Sequence, residues 1–208
     1  MINAVSQTSF KGIGIFSNRN SRISAVAQSQ RFARDNVIGY NEKILDGFKD
    51  GGRNTTVGIS GRVRGAQREV IVVDRKKDTT LNAIIKRVKS HTQDMRTSEQ
   101  KAEYIFKYCQ KFNKKFGIKM SPQDREILLG DSLLEDYACC RHIALLFKVL
   151  CDEVDVKSEL VRGMYIDNNK YNRHSWNTAV TDYGWKKIYD ATLGVSGNDP
   201  LSRYVRAK

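Results

Sequence analysis

A chain of 208 residues with a formal net charge of +13 is long enough to bury a substantial core, as one domain with an extension or as one larger domain. It excludes a bilayer-spanning helix, because no apolar run approaches the roughly 20 residues needed. Cys109, Cys139, Cys140 and Cys151 are too few and too irregularly spaced for a disulfide framework or a zinc site, so reduced thiols are expected.

The charge is uneven: residues 1–119 hold 24 Lys and Arg against 10 Asp and Glu, and residues 120–208 hold 12 against 13. A solvated surface explains a basic excess more simply than a partner does. Attraction to an acidic protein, nucleic acid or an anionic membrane is the functional reading, and nucleic acid is disfavoured because no recognisable binding module accompanies the charge.

In chain order, residues 1–36 are rich in Ser, Asn, Gln and Arg, with apolar residues scattered without period. Such a segment buries too little apolar surface to offset its ordering entropy and is expected to be flexible. It lacks the apolar centre of a secretory signal peptide. Its composition resembles the leader of a bacterial effector delivered by a specialised secretion system, so the expected setting is the cytoplasm or a host cell.

Val37 to Phe48 reads as a short helix ended by Gly51 and Gly52. Val57 to Arg64 and Glu69 to Asp74 read as a hairpin turning at Gly65. Leu81, Ile84, Ile85, Val88 and Met95 recur at helical spacing behind Asp78, Thr79 and Thr80 as caps. A second helix starts at Thr97 with Gln100 as a capping box and carries Ala102, Ile105, Phe106, Cys109, Phe112 and Phe116 before Gly117 closes it. Its stripe reads as core and Cys109 as a packed thiol. Ser121 and Pro122 open a loop or short helix to Leu128, and Asp131 to Tyr137 reads as turn-rich.

A helix then starts at Cys140, with Ala144, Phe147 and Cys151 following at spacings of four, three and four. A thiol at a helix N-terminus sits in the positive end of the dipole, where it ionises more readily and where unpaired N–H groups can hold an oxyanion. Cys139 is expected to point elsewhere and pack. His142 is too close to face the thiol and reads as structural. Strands follow at Lys157 to Val161, Trp176 to Val180 and Trp185 to Asp190, with a tight turn at Asp182 to Gly184. The last two put His174 at the entry and Asp190 at the exit of a hairpin, where the carboxylate can orient the imidazole toward Cys140.

LGDSLLEDYACCRHIALLFKVLCDEVDVKSELVRG, RHSWNTAV and WKKIYDATLG together resemble the transglutaminase-like superfamily of papain-like thiol enzymes, in particular its peptidase-like bacterial and plant members, over about residues 128–194. The resemblance implies an α+β, papain-like fold with the nucleophile helix on an antiparallel sheet, and a catalytic domain at 37–208. It implies Cys140 as nucleophile, His174 as general base, Asp190 as orienting carboxylate, and Trp176 beside the site as a substrate-binding residue. The glycine usual two residues before the nucleophile is Ala138, and the alanine usual after the histidine is Ser175. No metal or other cofactor is implied. The expected activity is attack on a peptide or glutamine carboxamide carbonyl of a protein substrate through a thioester. Protease, deamidase and transglutaminase stay open, because the triad does not choose the acyl acceptor. The alternative is a catalytically silent papain-like module whose basic N-terminal half holds a protein or other anionic partner.

Overall fold

The computed structural model describes residues 24–51, 69–113, 126–135, 138–198 and 203–207. Its centre is a helix, α5 (Cys140–Glu153), buried continuously from Arg141 to Asp152. A helix covered on every side must be enclosed by other elements. The first helices are α1 (Ala25–Asp35), α2 (Thr79–Thr92), α3 (Ser98–Gln110) and α4 (Leu129–Leu134). Asp78 caps α2 by accepting from Leu81 N–H, and Thr97 with Gln100 closes the expected capping box of α3. Cys109 is fully buried among the apolar residues of α3, as expected of a packed thiol.

Strands β1 (Val37–Ile38), β5 (Ser158–Asp167), β6 (Lys170–Val180), β7 (Lys186–Asp190), β8 (Val195–Gly197) and β9 (Tyr204–Arg206) form one six-stranded antiparallel sheet. Its order is β1-β5-β6-β7-β8, with β9 also pairing β5. Strands β2 (Phe48–Asp50), β3 (Val70–Val73) and β4 (Glu126–Leu128) form a smaller sheet, antiparallel between β2 and β3 and parallel between β3 and β4. The fold class is α+β. Asn177 of β6 donates its amide to Ala144 O of α5 at 3.0 Å, and Tyr189 of β7 stacks on Phe147 of α5 with centroids 5.4 Å apart. These contacts fasten the helix to the sheet.

Several local expectations change. Residues 25–35, counted in the flexible segment, form α1, because Phe32 packs on Phe48 with centroids 5.8 Å apart and Gln28 donates to Lys43 O at 2.8 Å. The helix expected over Val37 to Phe48 is instead β1, a turn and β2: Ile38 pairs Leu160, Phe48 pairs Val73, and Gly47 takes φ +85°. Sheet pairing outweighs helical pattern in so short a stretch. Glu69 to Asp74 does hold a strand, β3, but its antiparallel partner is β2; the expected first hairpin strand lies outside the described residues, as do Phe116, Gly117 and the Ser121-Pro122 loop. Asp131 to Leu134 belongs to α4, whose Leu129 and Leu133 are buried one turn apart.

Two strands also run longer than their patterns suggest. β5 and β6 pair from Ser158 opposite Ala179 to Asp167 opposite Lys170, joined by Asn168 and Asn169, both at positive φ. Asparagine tolerates that conformation, and two such residues suit a tight hairpin of this hand. His174 therefore lies within a strand rather than at its entry. Among the described residues no helix is long and apolar enough to cross a membrane.

Candidate active site

Asp190 ends β7 and is 1% exposed. Its Oδ1 accepts the N–H groups of Thr192 and Leu193, both at 3.1 Å, and its Oδ2 accepts His174 Nε2–H at 2.6 Å and Tyr204 O–H at 3.0 Å. A buried carboxylate with four donors is fully satisfied, and it fixes the ring by its Nε2 edge, leaving Nδ1 for another partner. The pairing of β6 with β7, Asn177 opposite Tyr189, brings these two side chains together.

Trp176 stands two residues from His174, so both project from the same side of β6. Their rings are near-parallel at 12°, with centroids 6.3 Å apart, and the indole also meets Tyr204 at 5.1 Å. Expected at the substrate side, Trp176 is 3% exposed and sits in a small cluster with Val161, Ile188 and Tyr204. Its burial makes it a support for the imidazole rather than a contact surface. Gly163, opposite His174 in the register, makes room for this cluster: a Cβ there would lie 2.6 Å from Trp176 Cη2 and would collide with Val205 O of β9.

Cys140 opens α5, and the backbone N–H of Ser175 is directed at its sulfur; Asp190 is near enough to act on it through space. The structure thus joins His174 to Asp190 directly and sets Cys140 beside them through the residue next to the histidine. The helix start does not leave the thiol easy to ionise. The Cys140 thiol is pushed well above its usual range, first by its hydrogen bond with Cys139, then by burial and by the Cys139 charge.

Cys139, expected to pack away from the site, lies against Cys140. Its sulfur bonds Cys140 and lies 3.5 Å from His142 Nδ1, and the thiol is held well below its usual range, first by the bond with Cys140 and then, against burial, by His142 and Arg141. His142, read as structural, accepts the Cys139 N–H at its Nδ1, 3.2 Å away. Cys109 and Cys151 are both raised, first by burial. Four residues of this neighbourhood were not singled out by sequence reasoning or were given another role: Tyr204, Glu69, Cys139 and His142. Tyr204 reaches it from β9 and Glu69 from just before β3, both distant in sequence, so no local pattern marks them. Among the described residues no group of three or more His, Cys, Asp or Glu is placed to hold a metal ion.

An α+β domain whose histidine and aspartate meet on neighbouring strands, beside a cysteine at a helix start, has the makings of a peptidase-like protein. Residues 59–190, more than half of the chain, match the family model described as EDR1/CTR1/ARMC3, peptidase-like, and the chain belongs to that family. No curated protein and no solved structure matches it.

Proposed function

We propose that the chain is a cysteine hydrolase or acyltransferase of papain-like, transglutaminase-like architecture, acting on peptide or glutamine carboxamide bonds of a protein substrate. The observation that carries this reading is the 2.6 Å bond from His174 to a buried Asp190, beside Cys140 at the start of α5. Cys140 is the nucleophile, His174 the general base and then acid, and Asp190 with Tyr204 and Trp176 holds the imidazole. As the Cys140 sulfur bonds to the carbonyl carbon, its proton passes to His174 Nδ1 and the π pair moves to oxygen, which the Cys140 N–H can receive. The C–N bond then breaks, the amine leaves with the imidazole proton, and a thioester remains. Water, giving its proton to His174, displaces the sulfur and yields the acid; a lysine amine in its place yields a crosslink.

Four free cysteines suit a reducing setting, the cytoplasm or a host cell reached as an effector. A second reading, a catalytically silent module binding a partner through its basic half, is favoured by the surroundings of Cys140, whose hydrogen bond with Cys139 and whose burial push the thiol above its usual range. Intact mass spectrometry of candidate protein substrates, with wild type and Cys140→Ala, separates the two. Fragments signify proteolysis, a gain of about one dalton deamidation, and a loss of about seventeen per crosslink transamidation, as the acyl acceptor dictates. Changes that persist in Cys140→Ala would refute the nucleophile, and a substrate bound but unaltered by wild type would favour the silent module.

A further inference from the structure

The large sheet runs on past the start of α5. Asn177 of β6 donates to Ala144 O, one turn into the helix, and Ser175, two residues earlier, lies at Cys140 with its N–H directed at the sulfur. Side chains two apart on a strand share a face, so the same face of β6 continues to Arg173 and Tyr171, beyond the first residue of the helix. Register puts Met164 of β5 opposite Arg173 and Ile166 opposite Tyr171. β9 adds Val205 opposite Met164, and Ile166 N–H donates to Arg203 O at 2.8 Å, one step further along. Two rows result: Val205, Met164 and Arg173 next to the thiol, then Arg203, Ile166 and Tyr171.

Tyr171 is 68% and Val205 43% exposed, Met164 and Ile166 are half-buried, and both arginines are exposed. Four apolar side chains thus form a patch with a guanidinium at two opposite corners. Among the described residues neither guanidinium has an ion-pair or hydrogen-bond partner, whereas Arg206 of β9 is held by Glu159 at 2.6 Å. Asp167, the acid of this hairpin, falls on the other face by strand alternation. Exposed tyrosine and arginine beside apolar side chains are what binding surfaces concentrate.

We propose that these two rows are the docking surface for the protein substrate, taking an extended segment of alternating apolar and acidic residues and delivering it to Cys140; calling that segment substrate rests on the functional reading. Strand residues rise about 3.3 Å, so along β6 the inner row lies about 7 Å from Ser175 and the outer row about 13 Å. A segment laid back from the thiol meets the inner row two residues from the reacting one and the outer row four residues away. Its apolar side chains cover Met164, Ile166, Tyr171 and Val205, and its carboxylates reach Arg173 and Arg203. Three strands are about 10 Å across, the width for one extended chain. The surface fills the role expected of Trp176, whose burial keeps it from the substrate.

The test is fluorescence anisotropy with the full chain carrying Cys140→Ala and two fluorescein-labelled peptides, Glu-Leu-Glu-Leu-Gln-Gly and its counterpart with lysine for both glutamates. The acidic peptide should bind about tenfold more tightly, as two exposed charge pairs allow. Arg173→Glu with Arg203→Glu should reverse that order, and Tyr171→Ala should weaken both peptides about tenfold. These side chains are exposed, so the urea midpoint should stay at the wild-type value. In wild type the acidic peptide should also slow iodoacetamide labelling of Cys140 severalfold at pH 8, and the double charge reversal should remove that protection. Equal affinity for the two peptides, no binding, affinities unmoved by the variants, or binding that leaves Cys140 labelling at full rate would overturn the proposal. So would self-association of the chain that Tyr171→Ala abolishes, which would give the face to a second copy. Because the binding is measured without turnover, its failure is distinguishable from failure of the substrate test.

Discussion

Replacing Asp190 by asparagine probes the charged hydrogen-bond centre that holds His174. The carboxylate has four donors: the N–H groups of Thr192 and Leu193 on Oδ1, and His174 Nε2–H and Tyr204 O–H on Oδ2. An asparagine oxygen retains the first two, but its amide nitrogen then faces two donors. The ring must turn its tautomer, placing its hydrogen on Nδ1, and the Tyr204 hydroxyl must rotate. Hydrogen bonds to a charged group are worth about 1.5–3 kcal/mol each, and both partners can adjust, so a loss of about 2–3 kcal/mol is expected. For a chain of this size that is a fall in Tm of roughly 5–10 °C. Urea unfolding followed by circular dichroism measures the loss, and imidazole 15N shifts report the tautomer. Unchanged stability together with a His174 hydrogen still on Nε2 would refute the carboxylate as the ring's anchor.

Other expectations follow from single contacts. Gly163→Ala drives a Cβ against Trp176 and Val205 O, and should cost about 1–3 kcal/mol and loosen β9, seen as faster amide exchange at Tyr204 and Val205. Asp78→Ala leaves Leu81 N–H and the buried Gly130 N–H without their acceptor, at 2.8 and 2.6 Å respectively. A loss of about 1–3 kcal/mol in urea unfolding is expected. Glu153 is bonded by Arg75 at 2.7 Å and Lys89 at 2.5 Å; burial raises its pKa, but Lys89 and Arg75 outweigh burial and the net shift is downward. A carboxylate lowered in the folded state stabilises it above the unfolded pKa, and that stabilisation is lost as pH falls through the folded value. Glu153→Gln should therefore destabilise the chain at pH 7 and leave a smaller difference from wild type at pH 3.

Helices α2 and α3 are legible because their information is local: capping residues and an apolar stripe lie within one segment. The start of α5 and the strands carrying His174 and Asp190 are legible for the same reason. What escapes is set by partners distant in sequence. Val37 to Phe48 reads as helical until Ile38 meets Leu160 and Phe48 meets Val73. α1 looks too polar to order, yet Phe32 lies against Phe48 and under the Arg162 guanidinium, 4.0 Å from its ring centroid. The surroundings of Cys139 and His142 are hidden for the same reason: Glu69, far from His142 along the chain, comes within 3.0 Å of its Nε2 only by folding. Tyr204 is likewise tied to Asp190 through the pairing of β9 with β5.

The central claim is that Cys140 forms a covalent thioester with an acyl group released from a peptide or glutamine side chain. Incubation with a pooled mixture of glutamine-containing peptides, followed by acid quench and intact mass spectrometry of the chain, tests it most directly. The account predicts an acyl adduct on Cys140, removed by hydroxylamine, absent in Cys140→Ala, and formed more slowly in His174→Ala. An adduct that persists in Cys140→Ala, or wild type that alters those peptides without ever carrying an acyl group, would contradict it.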